Sequence, residues 1–186
     1  AWIWTLMRAD VRSLTLAGDV RQLPAIVSSS GQALSHQRSI MERLLTLRYD
    51  RVVSLTTQNR MAPQLLAYPN VEFYDSTLTS GPAAPTEGFL KFHPAVNARE
   101  EKVETSYRST AEAEMCLRVL KAVQKAGEND VVILVPYNAQ MTEIASRSKE
   151  PASHTFTLDG IKEREADVVI LSLVRDGSTG FGFWDD

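Results

Sequence analysis

The stretch Val131–Val135 (VVILV), closed by Asp130 and Pro136, constrains the fold more than any other part of this sequence. Five apolar β-branched or leucine side chains in a row leave no polar face. A strand built from them must be covered on both sides, as in the interior of a parallel sheet. A second run of the same kind, DVVILSLV from Asp167 to Val174, follows after a helical stretch, Ala139–Arg147, and a shorter strand signal, His154–Leu158. Buried strands alternating with helices predict an α/β fold with a mostly parallel sheet and flanking helices.

Upstream, Ser13–Ala17 alternates and meets Gly18-Asp19, as a strand entering a loop does. Ser28–Gly31 reads as a flexible connection. Ser35–Leu47 carries Ile40, Met41, Leu44, Leu45 and Leu47 at helical spacing. Val52–Leu55 and Phe89–His93 are strand candidates, separated by a Gly/Pro-rich loop over Thr79–Gly88. Ser109 and Glu112 have the spacing of a capping box, which predicts a helix that Gly127 stops. Cys116 falls on the apolar face of that helix and reads as a small core residue.

The formal net charge of −3 excludes a bulk basic surface, though a groove can still concentrate positive charge locally. One cysteine and three scattered histidines, His36, His93 and His154, give neither a disulfide framework nor metal-ligand spacing. A lone cysteine suits an intracellular protein of the cytoplasm or nucleus. No apolar run reaches membrane-spanning length, so no membrane partner is expected. The apolar start at Trp2 and Trp4 and the end at Trp184-Asp185-Asp186 read as cuts through a longer chain.

In parallel sheets, ligands sit at the carboxyl ends of strands. Four polar clusters follow predicted strands: Gly18–Pro24 (GDVRQLP); Gln58–Met61 (QNRM) with Pro63; Pro136–Gln140 (PYNAQ); and Thr157–Gly160 (TLDG), which leads through Arg164–Asp167 into the last strand. Each taken alone is compatible with solvated loop chemistry. Gln22 suits a surface amide and Arg60 a surface cation. Thr157 and Asp159 suit helix caps, and Glu165 and Asp167 suit exposed carboxylates.

In order and wording, GDxxQLP, QxRM, PYNAQ and TxDGxxxREADVVILSxVR resemble the Upf-like superfamily 1 helicases, the class of the nonsense-mediated-decay helicase. The phrases Ser39–Leu44 and Asn70–Tyr74 add to the likeness, which covers about residues 14–183. The resemblance implies a RecA-like P-loop NTPase fold, here truncated at both ends. Residues 1–50 would be the tail of a first RecA-like domain, and 51–186 most of the second. It implies ATP with Mg²⁺ as cofactor. It implies single-stranded RNA or DNA, and a missing N-terminal RecA-like domain, as partners. Gln22 matches a γ-phosphate-sensing glutamine. Arg60 matches an arginine that stabilises charge in the phosphoryl-transfer transition state. Asp19, Gln58 and Glu165 match positions on the nucleotide side. Pro136, Asn138 and Thr157 match positions that meet the nucleic-acid backbone.

Three positions depart from the pattern. Asn59 stands where the family carries an aromatic that stacks on adenine, and Lys162-Glu163 stand where it carries Gln-Gly. No GxxxxGK(S/T) loop and no acidic pair before Gly18 occur in the 186 residues. Mg²⁺ ligands are therefore expected upstream, and this chain alone is expected to be inactive. Two functions remain in view: part of an ATP-dependent helicase, or a degenerate helicase-like module that binds nucleic acid or protein without ATP turnover.

Overall fold

A computed structural model describes residues 10, 12–25, 27–47, 51–148, 154–161, 164–178 and 180. Trp2, Trp4, Lys162 and Glu163 lie outside them. The chain divides into two compact units, Ala1–Leu90 and Lys91–Asp186.

In the first unit, α1 (Ser29–Ala33) and α2 (Ile40–Thr46) are both started by serine. Ser28 Oγ accepts from the Gly31 N–H at 3.3 Å, and Ser39 Oγ accepts from the Glu42 N–H at 3.0 Å. The connection expected at Ser28–Gly31 is thus the first turn of a helix, because Ser28 caps it. β1 (Thr57–Gln58) pairs in parallel with β2 (Thr79–Ser80) around α3 (Pro63–Tyr74). Pro63 starts α3, where a missing N–H costs nothing. Pro69 lies inside the helix and withholds one rung of its ladder. The helix ends at Asp75 in the left-handed region, φ 51°. Both hydrogen-bonding ends of the Asn70 side chain then hold Leu78.

Ser13–Ala17, Val52–Leu55 and Phe89–His93 form no strand in the structure. A strand needs a partner for its peptide groups, and among the described residues these segments have none. Val53 and Leu55 are 88% and 89% exposed, and Phe89 is 83% exposed.

The second unit opens with an antiparallel hairpin, β3 (Glu101–Val103) and β4 (Ser106–Arg108). α4 (Thr110–Lys125), β5 (Val131–Val135), α5 (Asn138–Arg147), β6 (Thr155–Thr157) and β7 (Val168–Leu171) follow. As expected, β5 is central, with β6 and β7 parallel on either side. Ala113, Cys116 and Leu120 of α4 and Ile144 of α5 pack on Val131, Ile133, Val135 and Ile170 to form the core. Burial, then the nearby Glu112 charge, pushes the Cys116 thiol up to about 11, as befits an inert core residue.

Ser109 is the N-cap of α4, but the expected capping box does not form. Its side chain makes no capping bond. Glu112 instead accepts from Ser172 Oγ at 2.7 Å and from the Val174 N–H at 2.9 Å, a tertiary use that takes it away from the helix start. Val174 is 1% exposed and has φ 69°, and the Arg175 N–H closes a tight turn onto the Leu173 carbonyl at 2.8 Å.

Candidate functional site

In the first unit, the GDVRQLP loop is organised by the Asp19 carboxylate. Its Oδ1 accepts from the Arg21 N–H at 2.9 Å. Its Oδ2 accepts from Gln22 Nε2 at 3.0 Å and from the Tyr74 hydroxyl at 2.7 Å. Partial burial disfavours the Asp19 anion, but the bonds from Tyr74, Arg21 and Gln22 outweigh it and hold the pKa below the usual carboxylate value. The same bond to Asp19, with burial second, raises the Tyr74 phenol. Arg21 reaches the same helix end. Its Nη1 donates to the Phe73 carbonyl at 2.6 Å and its Nη2 to Asp75 Oδ2 at 2.9 Å.

The QNRM turn is tied by Gln58. Its Oε1 accepts from the Arg60 N–H at 2.9 Å and the Met61 N–H at 2.8 Å, and its Nε2 donates to the Met61 carbonyl at 2.7 Å and to Ser80 Oγ at 3.0 Å. All four hydrogen-bonding positions of the amide are used inside the chain. Gln58 thereby fixes the backbone from which the exposed Arg60 side chain projects. Asn59, at the position where the resembled family carries an aromatic, accepts at its Oδ1 from the Ala83 N–H at 3.3 Å. That approach requires Gly81, since a Cβ there would collide with Asn59 Oδ1 and lie 2.8 Å from Thr57 Cγ2.

In the second unit, the parallel register gathers post-strand residues at one edge. Val135 is level with Thr157, and the Leu158 N–H donates to the Val135 carbonyl at 3.2 Å. Pro136, Asn138 and Thr157 therefore stand together at the carboxyl edge. Asn138 is exposed at the first position of α5, and Pro136 and Thr157 are half-buried. Thr157 Oγ1 accepts from the Gly160 N–H at 3.1 Å. Glu165 is not at this edge. It is exposed in the connection entering the amino end of β7, beside Arg164, whose guanidinium lies 4.7 Å from the centre of the Phe156 ring.

The same edge holds further residues that carry no individual role in the motif reading. Arg175, just past β7, is buried with Glu100 as an ion pair at 2.9 Å. It also donates to the Tyr137 hydroxyl at 3.2 Å and lies 4.1 Å from the centre of the Tyr107 ring. The Tyr107 and Tyr137 rings are 5.3 Å apart. Gln140, on α5, is fully buried. It accepts from the Ser109 N–H at 2.8 Å and donates to the Ser109 carbonyl at 3.2 Å and to Ser172 Oγ at 3.1 Å. The motif text PYNAQ and SxVR contained Gln140, Tyr137 and Arg175. Their partners Glu100, Tyr107 and Ser109 are too distant in sequence to be paired by spacing.

Among the described residues no group of three or more His, Cys, Asp or Glu could hold a metal ion, and no helix is long and apolar enough to cross a membrane. The donors near the first two clusters, a carboxamide and a guanidinium, suit an anionic phosphate group rather than a cation.

The family model described as "AAA domain" matches residues 36–186. The 5'-3' DNA helicase ZGRF1 of Mus musculus is 26% identical over 95% of the chain, which covers 10% of that protein. A regulator of nonsense transcripts 1 homolog of Arabidopsis thaliana is 28% identical over 95% of the chain and is covered to 16%. The ATP-dependent helicase upf1 of Schizosaccharomyces pombe is 27% identical over 94% of the chain and is covered to 22%. The chain thus spans a small part of each of these relatives.

Proposed function

Because the chain belongs to the Upf1-like superfamily 1 helicases and carries their AAA domain, we propose that it is part of an ATP-dependent nucleic-acid helicase, contributing one side of the ATP site and part of the single-strand surface. Residues 1–50 would complete a first RecA-like domain and 51–186 would form most of the second. The phosphate loop and the Mg²⁺ ligands would be supplied from outside these 186 residues. Gln22 and Arg60 would face ATP and Mg²⁺ held by those elements, and the nucleotide would supply the phosphoryl group for transfer to water.

This chain's residues act around that group. Gln22 offers a carboxamide to the terminal phosphate, and Arg60 a cation for the charge that builds in the transition state. Asp19 supports Gln22, Gln58 fixes the backbone that carries Arg60, and Glu165 completes the nucleotide side. Pro136, Asn138 and Thr157 meet the backbone of single-stranded RNA or DNA, an intracellular substrate of the cytoplasm or nucleus. The observation that carries the nucleic-acid half is the gathering of Pro136, Asn138 and Thr157 at the carboxyl edge of the sheet.

The test is ATP hydrolysis by the full-length protein with and without single-stranded RNA or DNA. Stimulated hydrolysis supports the reading. Thr157→Ala and Asn138→Ala should weaken single-strand binding modestly and to the same degree for every base sequence, since backbone contacts carry no sequence information. The Asn59 side chain, held on the Ala83 N–H, favours a second reading, a helicase-like module that binds without turnover. Single-strand binding with no hydrolysis in the full-length protein selects it.

A further inference from the structure

Tyr74 lies outside the four post-strand clusters, at the end of the phrase Asn70–Tyr74, and its hydroxyl meets the same Asp19 oxygen as the Gln22 side chain. An ionised carboxylate only accepts hydrogen bonds, so Asp19 Oδ2 faces the NH₂ end of Gln22 and thereby sets the orientation of the amide. Asp19 Oδ1 is occupied by the Arg21 N–H, which prevents the carboxylate from rotating without losing a bond. Two residues on, Arg21 grips the same helix end at a carbonyl of the last turn and at Asp75. The negative end of the α3 dipole favours a cation there. Alternate residues of the loop, 19 and 21, thus engage three consecutive residues, 73 to 75, more than fifty positions away.

We propose that Tyr74, with Arg21 and Asp75, clasps the GDVRQLP loop to the carboxyl end of α3 and so sets the orientation of the Gln22 carboxamide. Tyr74 is a positioning residue that acts through Asp19. The inference rests on the reading of Gln22 as the residue that meets the terminal phosphate. In the proposed partition at residue 50, the clasp joins a loop of the first RecA-like domain to a helix of the second. The orientation of Gln22 then depends on both domains being in place.

Two measurements on the full-length protein test it. In hydrogen–deuterium exchange, Tyr74→Phe removes one hydroxyl and keeps the ring, and should speed exchange of the Arg21 and Gln22 amides while leaving β5 unchanged. In steady-state hydrolysis of ATP with oligo(U) or oligo(dT), the same variant should lower kcat about threefold to tenfold, the worth of one hydrogen bond, with KM for ATP little changed. Tyr74→Phe added to Gln22→Ala should cost nothing further, because the clasp acts through Gln22. A merely structural role would leave the two losses additive. Unchanged exchange at Arg21 and Gln22 overturns the clasp. Faster exchange with unchanged kcat in a hydrolysing protein overturns the positioning role. If the parent protein hydrolyses no ATP while exchange still rises in Tyr74→Phe, the clasp stands as a restraint on the loop and the nucleotide reading falls.

Discussion

The two units are held together by different means. The second, from Lys91 onward, has a continuous apolar core in which Ala113, Val131, Ile133, Val135 and Ile144 are 1% exposed or less. In the first, Ala62 and Leu66 are the buried apolar side chains among the described residues, while Leu23, Val53, Leu55, Tyr68, Val71 and Phe89 stand largely in solvent. Its long-range order comes from polar pairs: Asp19 with Tyr74, Arg21 with Asp75, Asn70 with Leu78, Gln58 with Ser80. Apolar burial supplies most folding free energy, whereas an exposed ion pair such as Arg21–Asp75 contributes little. The second unit therefore has the means to be rigid by itself, and the first presents apolar surface that further protein should cover.

The largest expected effect is a core truncation. Ile133→Ala should destabilise the second unit by about 2–5 kcal/mol, the range for removing a buried aliphatic side chain. Leu66→Ala in the first unit should lie near the low end of that range, about 2 kcal/mol, because among the described residues of that unit Ala62 is the other buried apolar side chain and the site can relax. Chemical denaturation of both variants checks this, and equal losses would break the contrast.

Next in size is Gln140→Ala, which strips partners from the buried Ser109 backbone and from Ser172 Oγ. The expected cost is about 1–3 kcal/mol. It should appear as faster amide exchange at the start of α4 and the end of β7. A loss confined to α5 would mean that the network does not bridge these elements.

The smallest effect separates the units by pH. Burial of Glu143 raises its pKa, but bonds from Arg147 and Thr110 and the charges of Arg147 and Arg108 win, so the net shift is downward. A carboxylate with a lowered folded-state pKa gives its full stabilisation above its unfolded value. It loses that contribution as pH falls through the folded value. Thermal melts taken from neutral pH down through the carboxylate range should fall less steeply for Glu143→Gln than for the parent. Asp19→Asn should flatten the same limb less, since Asp19 is exposed and its interactions are screened.

What was legible in the sequence follows the same division. Val131–Val135 could be placed because a continuous apolar run has few solutions. The helix from Thr110 followed from the start signal at Ser109 and its apolar face, and the parallel sheet from the alternation of buried strands with helices. The carboxyl-edge rule marked the clusters that hold Pro136, Asn138 and Thr157, but only the resemblance to the Upf-like helicases singled out those three residues. The capping box failed because Glu112 finds Ser172 and Val174, partners that local spacing does not reveal. Helix α3 was hidden by Pro69, which periodicity treats as a breaker. The β3–β4 hairpin was hidden by a turn with Glu104, not glycine or asparagine, at φ 54°. The Asp19–Tyr74 contact could not be read at all, since its two residues are 55 apart.

The turn at Val174 has a consequence for how this position can change over time. A hydrogen bond from residue 175 back to residue 173 around a central φ of 69° is the rare, strained form of a three-residue turn, and a β-branched side chain is poorly suited to it. Glycine or asparagine would accept the backbone but remove a buried apolar side chain. Isoleucine would keep a buried apolar side chain but also the strain. Alternatives are thus opposed by one requirement or the other, while the bond to Glu112, made by the backbone N–H of residue 174, would survive any substitution but proline.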